Sequence, residues 1–149
     1  MSLQNSFEWT DAFLLGFHPM DDVHREFVDI VDAMLGCADA DLAANLDIFA
    51  EHAESHFTQE RVWMEKTAFP ATECHVDEHN AVLKSLAEIR PLVVAGRFDI
   101  GRSFVAELVR WFPGHADYMD ASLAQWMVKK QLGGAPVVFR RGVGEVKQT

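Results

Sequence analysis

Four stretches of this chain carry apolar residues three and four positions apart, the period of helices that bury one face. The first holds Met20, Val23, Phe27, Ile30 or Val31, and Met34. The second holds Leu42, Leu46, Phe49, Ala53 and Phe57 and runs on to Met64, with Asp39 or Asp41 placed to cap its start. The third holds Val82 or Leu83, Leu86 and Ile89 and is expected to stop at Pro91. The fourth holds Phe104, Leu108, Trp111, Met119, Leu123 and Trp126 and closes before Gly133 and Gly134. Outside the tail, no alternation rich in Val, Ile and Thr reads as a strand. Long helices with short connections predict an all-α, up-down-up-down four-helix bundle over residues 1–132. From Gly133 the composition changes: Val137, Val138 and Phe139 are followed by Arg140, Arg141 and Lys147, so residues 133–149 read as a C-terminal tail.

The ends of those stripes are polar where they should be apolar. On the second stretch His56 follows Ala53 by three and Glu60 follows His56 by four, which keeps both on the buried face. On the third, His75 and His79 head the stripe that continues through Val82 to Leu86. His24 lies between Met20 and Phe27 on the first, and His115 follows Trp111 by four on the fourth, with Asp120 five further on. A lone inward histidine is usually a hydrogen-bonded core residue. Two carboxylates and five imidazoles in one small core are a different matter, because burying ionised groups without compensation costs many kcal/mol. A shared cation resolves the conflict. Imidazole and carboxylate without thiolate suit iron, manganese or zinc, and seven ligands exceed the four of a tetrahedral zinc, so two metals bridged by carboxylates fit best.

The spacing between His115 and Asp120 adds a geometric expectation. Residues five apart on an α-helix point about 140° apart, at roughly 100° per residue, so both can face one metal pair only if the turn is rewound. Pro113 and Gly114 weaken the helix at that place, and a kink or a π-like turn is predicted between Val109 and Asp120.

The set resembles the hemerythrin family, and within it the bacterial single-domain bacteriohemerythrins. That family carries a His on the first helix, HxxxE on the second, HxxxH on the third and HxxxxD on the fourth. Here these are His24, His56 with Glu60, His75 with His79, and His115 with Asp120. Trp9, Gly16, Asp21, the His56-Phe57 pair, Met64, Pro70 and Trp111 add to the likeness, which runs over about residues 7 to 130. The resemblance implies a di-iron site in the bundle core, cycling between Fe2+ and Fe3+. One iron would be held by His75, His79 and His115 and the other by His24 and His56, with Glu60, Asp120 and an oxo or hydroxo group as bridges. It further implies that the second iron is one ligand short and takes dioxygen there reversibly, as a carrier, store or sensor in oxygen transport or oxygen response, with no catalytic residue and no enzyme activity.

Other functions read less well. A di-iron oxidase or peroxidase of the ferritin-like kind needs ExxH, a His three residues after a Glu, and no Glu of this chain is followed by one there. A zinc or iron store, or a nitric oxide-responsive protein of the same superfamily, shares the ligand types. His52, four before His56, and His18, beside Pro19, fall outside the seven, with His52 expected beside the ligands or in solvent. A net charge of −10 argues against a nucleic-acid backbone or an anionic membrane as partner. Cys37 and Cys74 lack CxxC spacing, no run reaches the roughly 20 apolar residues of a membrane span, and Met1–Asn5 is too polar for a signal peptide, so a cytoplasmic monomer is expected. The basic tail is the one part suited to a partner of its own.

Overall fold

The structure, a computed structural model, describes residues 6–131, and the tail assigned above to residues 133–149 lies outside them. The four stripes form α1 (His18–Gly36), α2 (Asp39–Lys66), α3 (Thr72–Val94) and α4 (Phe98–His115). A π-helical turn, Ala116–Asp120, joins α4 to α5 (Ala121–Gln131), so the fourth rod of the bundle is α4, the π turn and α5 in succession. Among the described residues there is no strand. Each rod packs on two neighbours, α1 on α2 and α4, α3 on α2 and α4, as short connections between antiparallel helices require.

The ends depart from expectation in informative ways. Pro91 does not stop α3, because it sits in the last turn, where its missing N–H costs a single bond, and the helix runs on to Val94. The closure comes instead at Gly96, whose φ of 100° lets Gly96 N–H reach Val93 O at 2.9 Å and Arg97 N–H reach Leu92 O at 2.8 Å. The same closure ends α2 with Ala68 in the left-handed position, φ 55°, and Phe69 N–H on Met64 O at 2.9 Å. Neither Asp39 nor Asp41 caps α2; both lie in its first turn, where a negative charge meets the helix dipole, and Asp39 accepts from Arg102 Nη2 at 2.9 Å. His18 is the first residue of α1, and it is exposed.

The apolar core is divided. Phe27, Val31, Met34, Leu46, Phe49, Phe104 and Leu108 fill one end of the bundle, while Met20, Met64, Phe69, Leu123 and Ala124 fill the other. On every rod the inward polar residues fall between those two sets. At Gly101 the rods approach so closely that a Cβ would lie 2.7 Å from Val93 Cγ2 and 2.8 Å from Leu42 Cδ2. The segment before α1 folds back over the bundle: Phe7 N–H donates to Asp32 Oδ1 at 2.8 Å, and Phe7 and Phe13 both meet Phe112 edge-on.

Candidate metal centre

Between the two apolar sets the four rods deliver His24, His56, Glu60, His75, His79, His115 and Asp120 to one place, and none of the seven is more than 7% exposed. Their donor atoms fall into two overlapping groups. Glu60, His75, His79, His115 and Asp120 each offer an atom within 4.8 Å of the others, and so do His24, His56 and Glu60. Glu60 belongs to both. Its Oε2 lies 2.6 Å from His56 Nε2, while its Oε1 lies 3.2 Å from His75 Nε2 and 3.4 Å from His79 Nε2. Asp120 divides in the same way, with Oδ1 2.9 Å from His75 Nε2 and 3.1 Å from His115 Nε2, and Oδ2 3.0 Å from His24 Nε2.

The π turn makes this convergence feasible. The Ala121 N–H bonds to Ala116 O, five residues back, so one residue more than an α-turn allows is accommodated and Asp120 comes round to the face of His115. The kink or π-like turn expected from the five-residue spacing is present.

His79 Nε2 and His115 Nε2 lie 3.1 Å apart, one ring donating and the other accepting. Other donor atoms of the cluster lack such a partner. His24 Nε2, Glu60 Oε1 and Asp120 Oδ2 are buried with no hydrogen-bond partner. Buried donor atoms so close together and left without partners could hold a cation. The chemistry agrees: five imidazole nitrogens and two carboxylates, with no thiol among them, suit iron or manganese, and each of the two groups could hold a metal ion.

Electrostatics points the same way. Burial and the neighbouring Asp120 would raise the Glu60 carboxyl, but His56 and His75 outweigh them and hold it down at about 2. Burial also opposes ionisation of Asp120, and the close approach of His115, His24 and His75 holds it well below the usual carboxylate range. Both carboxylates are therefore anionic at neutral pH. Among the imidazoles, desolvation drives His79 down to about 3, while at His75 desolvation is overcome by the hydrogen bond to Asp120 and the nearby Glu60 carboxylate, which raise it to about 9. Two buried anions require positive charge beside them.

Aromatic rings close the sides. Phe57 stacks on His79 at 3.8 Å, Trp111 stacks on His115 at 4.3 Å, and Phe112 stands edge-on to His24 at 5.1 Å. His52 lies beside the cluster rather than in it: its Nε2 is 3.2 Å from Glu26 Oε1, its ring centroid is 5.9 Å from that of His56, and burial lowers its pKa. Glu78 was not visible in the sequence. It lies one residue before His79, at an ordinary solvated position of its own helix, and only the neighbouring rod reveals that it meets His115 Nδ1 at 2.7 Å.

Residues 15–127 match the family described as Hemerythrin HHE cation binding domain. A bacteriohemerythrin of Ralstonia nicotianae is 36% identical over 123 residues, covering 83% of this chain and 90% of that protein. Bacteriohemerythrins of Stenotrophomonas maltophilia and Pseudomonas paraeruginosa are 28% and 27% identical over 138 residues, each covering 85% of this chain and 90% of the relative.

Proposed function

The chain belongs to the hemerythrin family, and from that premise we propose that it holds two irons and binds dioxygen reversibly as a carrier, store or sensor. The observation that carries the reading is the inequality of the two donor groups. Glu60, His75, His79, His115 and Asp120 make a full set about one ion, whereas His24, His56 and Glu60, with Asp120 Oδ2 beside His24, make a smaller one. The smaller set leaves an ion with a position for an exogenous ligand. A ferrous pair, when bound, supplies the two electrons that dioxygen binding borrows and its release returns.

The chain's own residues do the remainder. His24 and His56 would hold the ion at the open position, with Glu60 and Asp120 shared between the two donor groups. Phe112, itself covered by Phe7 and Phe13, lies against His24 and keeps water from that side. A dry, imidazole-rich pocket favours retention of ferrous iron, and it offers few anionic oxygens to stabilise the higher-valent iron an oxidase needs. That supports binding without turnover. No helix among the described residues is long and apolar enough to cross a membrane.

The test is anaerobic reduction followed by air and then by removal of oxygen, with the visible spectrum and iron per chain recorded throughout. Two irons per chain and a colour that appears with air and fades on deoxygenation are expected. A single metal, zinc in place of iron, or a colour that does not reverse would overturn the reading.

A further inference from the structure

Five histidines present Nε2 to the cluster, and what lies behind them differs. His24 and His56 have a buried Nδ1 with no partner. His115 has a carboxylate: its Nδ1–H donates to Glu78 Oε1 at 2.7 Å. The same oxygen accepts the indole N–H of Trp111 at 3.2 Å, and the indole lies stacked on the His115 ring at 4.3 Å and 23°. Glu78 takes no part in either donor group. Its side chain is 37% exposed and forms part of the wall of an apolar cavity of about 570 Å³ between α3 and α4, which Glu107 also lines.

A carboxylate that accepts the outer N–H of an imidazole pulls the proton toward itself and leaves the ring a stronger donor at its other nitrogen. We propose that Glu78 is a positioning residue that fixes His115 with its proton on Nδ1 and strengthens its donation, making the iron held with His115 the harder of the two to reduce. The inference rests on the di-iron reading above. Trp111 works against Glu78 in this arrangement, since each hydrogen bond given to Oε1 weakens the other. The half of the site that would meet dioxygen has no such carboxylate behind it, so the two irons of one bridged pair are made electronically unequal by residues that touch neither.

The experiment compares iron-loaded full-length protein with Glu78→Gln, Trp111→Phe and Glu107→Gln variants by metal analysis and redox titration. Glu78→Gln keeps an oxygen acceptor and removes the charge, and it should shift the ferric/ferrous equilibrium about tenfold toward ferrous, ~59 mV for one electron. Trp111→Phe frees Oε1 for His115 and should shift it the opposite way. Glu107→Gln removes a charge from the same cavity wall without touching His115 and should leave the equilibrium unchanged. No shift in Glu78→Gln, an equal shift in Glu107→Gln, or a shift of the same sign in Trp111→Phe would overturn the proposal. If Glu78→Gln holds fewer than two irons, the sign in Trp111→Phe decides. Wild-type protein that takes up no iron overturns the di-iron reading itself, and metal analysis detects that before any potential is measured.

Discussion

His24 Nε2 and Asp120 Oδ2 lie 3.0 Å apart and form no hydrogen bond. The pair joins α1 to the end of the π turn, and both atoms are buried without a hydrogen-bond partner. A cation held between them would satisfy both.

Glu60 offers one oxygen to each donor group, so its removal takes negative charge and a ligand from both. Glu60→Ala should bring iron content from two per chain to near zero, measured by metal analysis after loading. A normal di-iron spectrum in that variant would exclude Glu60 as a bridge.

His52→Leu and His18→Leu should keep full iron. His52 has its hydrogen bond with Glu26 and lies outside both donor groups, and His18 is exposed at the start of α1. Loss of one iron in either variant would show that the ligand set is wrongly drawn. A changed rate of oxidation in air for His52→Leu, with iron intact, would assign His52 an influence on His56 across their ring contact.

Removing Tyr118, which is exposed within the π turn, deletes the extra residue and should restore α-helical phase. Asp120 would then turn by about 100° away from His75 and His115. The deletion should cost at least one iron while α5 remains helical by circular dichroism; retention of both irons would mean that the turn is not what aims Asp120.

Two substitutions test the packing independently of metal. Gly101→Ala must displace Leu42 or Val93, both buried, and should destabilise the fold by about 1–3 kcal/mol. Ala68→Gly relieves a side chain held at φ 55° and should stabilise by roughly 0.5–1 kcal/mol. Thermal melts of the metal-free protein read both, and opposite signs are expected.

Asp47 and Arg90 tie α2 to α3 with two hydrogen bonds, at 2.5 and 2.8 Å. The Arg90 hydrogen bond holds the Asp47 carboxyl below its usual value. Stability from the pair is therefore fully present above the unfolded carboxylate pKa, about 4, and is lost as pH falls through the lower folded value. The advantage of wild type over Asp47→Asn should be small, since both side chains are exposed, level above that pH, shrinking below it, and weakened by salt.

Much of this was legible because period and chemistry conflict at the same positions. His56 and Glu60 stand where the α2 stripe demands apolar residues, and only a buried polar cluster reconciles that with the stripe. The five-residue gap from His115 to Asp120 likewise exposed the π turn, since regular helix geometry contradicts it. What stayed hidden depends on contacts between rods. Glu78 has the spacing of a solvated residue on α3, and its partner lies 37 positions away. The packing of Phe7 and Phe13 on Phe112 was hidden for the same reason, because no period links a segment outside the helices to the face it covers. Pro91 misled on the end of α3 because the cost of a proline depends on how many turns follow it.

The extra residue at Ala116–Asp120 also acts as a phase shifter. A stripe counted forward from Phe104 through Leu108 and Phe112 falls out of step beyond His115, and the buried positions resume on a new count at Leu123 and Ala124. The two halves of the rod thereby obey separate rhythms: the first is matched to the aromatic residues around Phe112, the second to Met20 and Met64 at the far end. A core substitution in one half therefore meets a different set of neighbours from one in the other, and Asp120 stands at the beat where the count restarts.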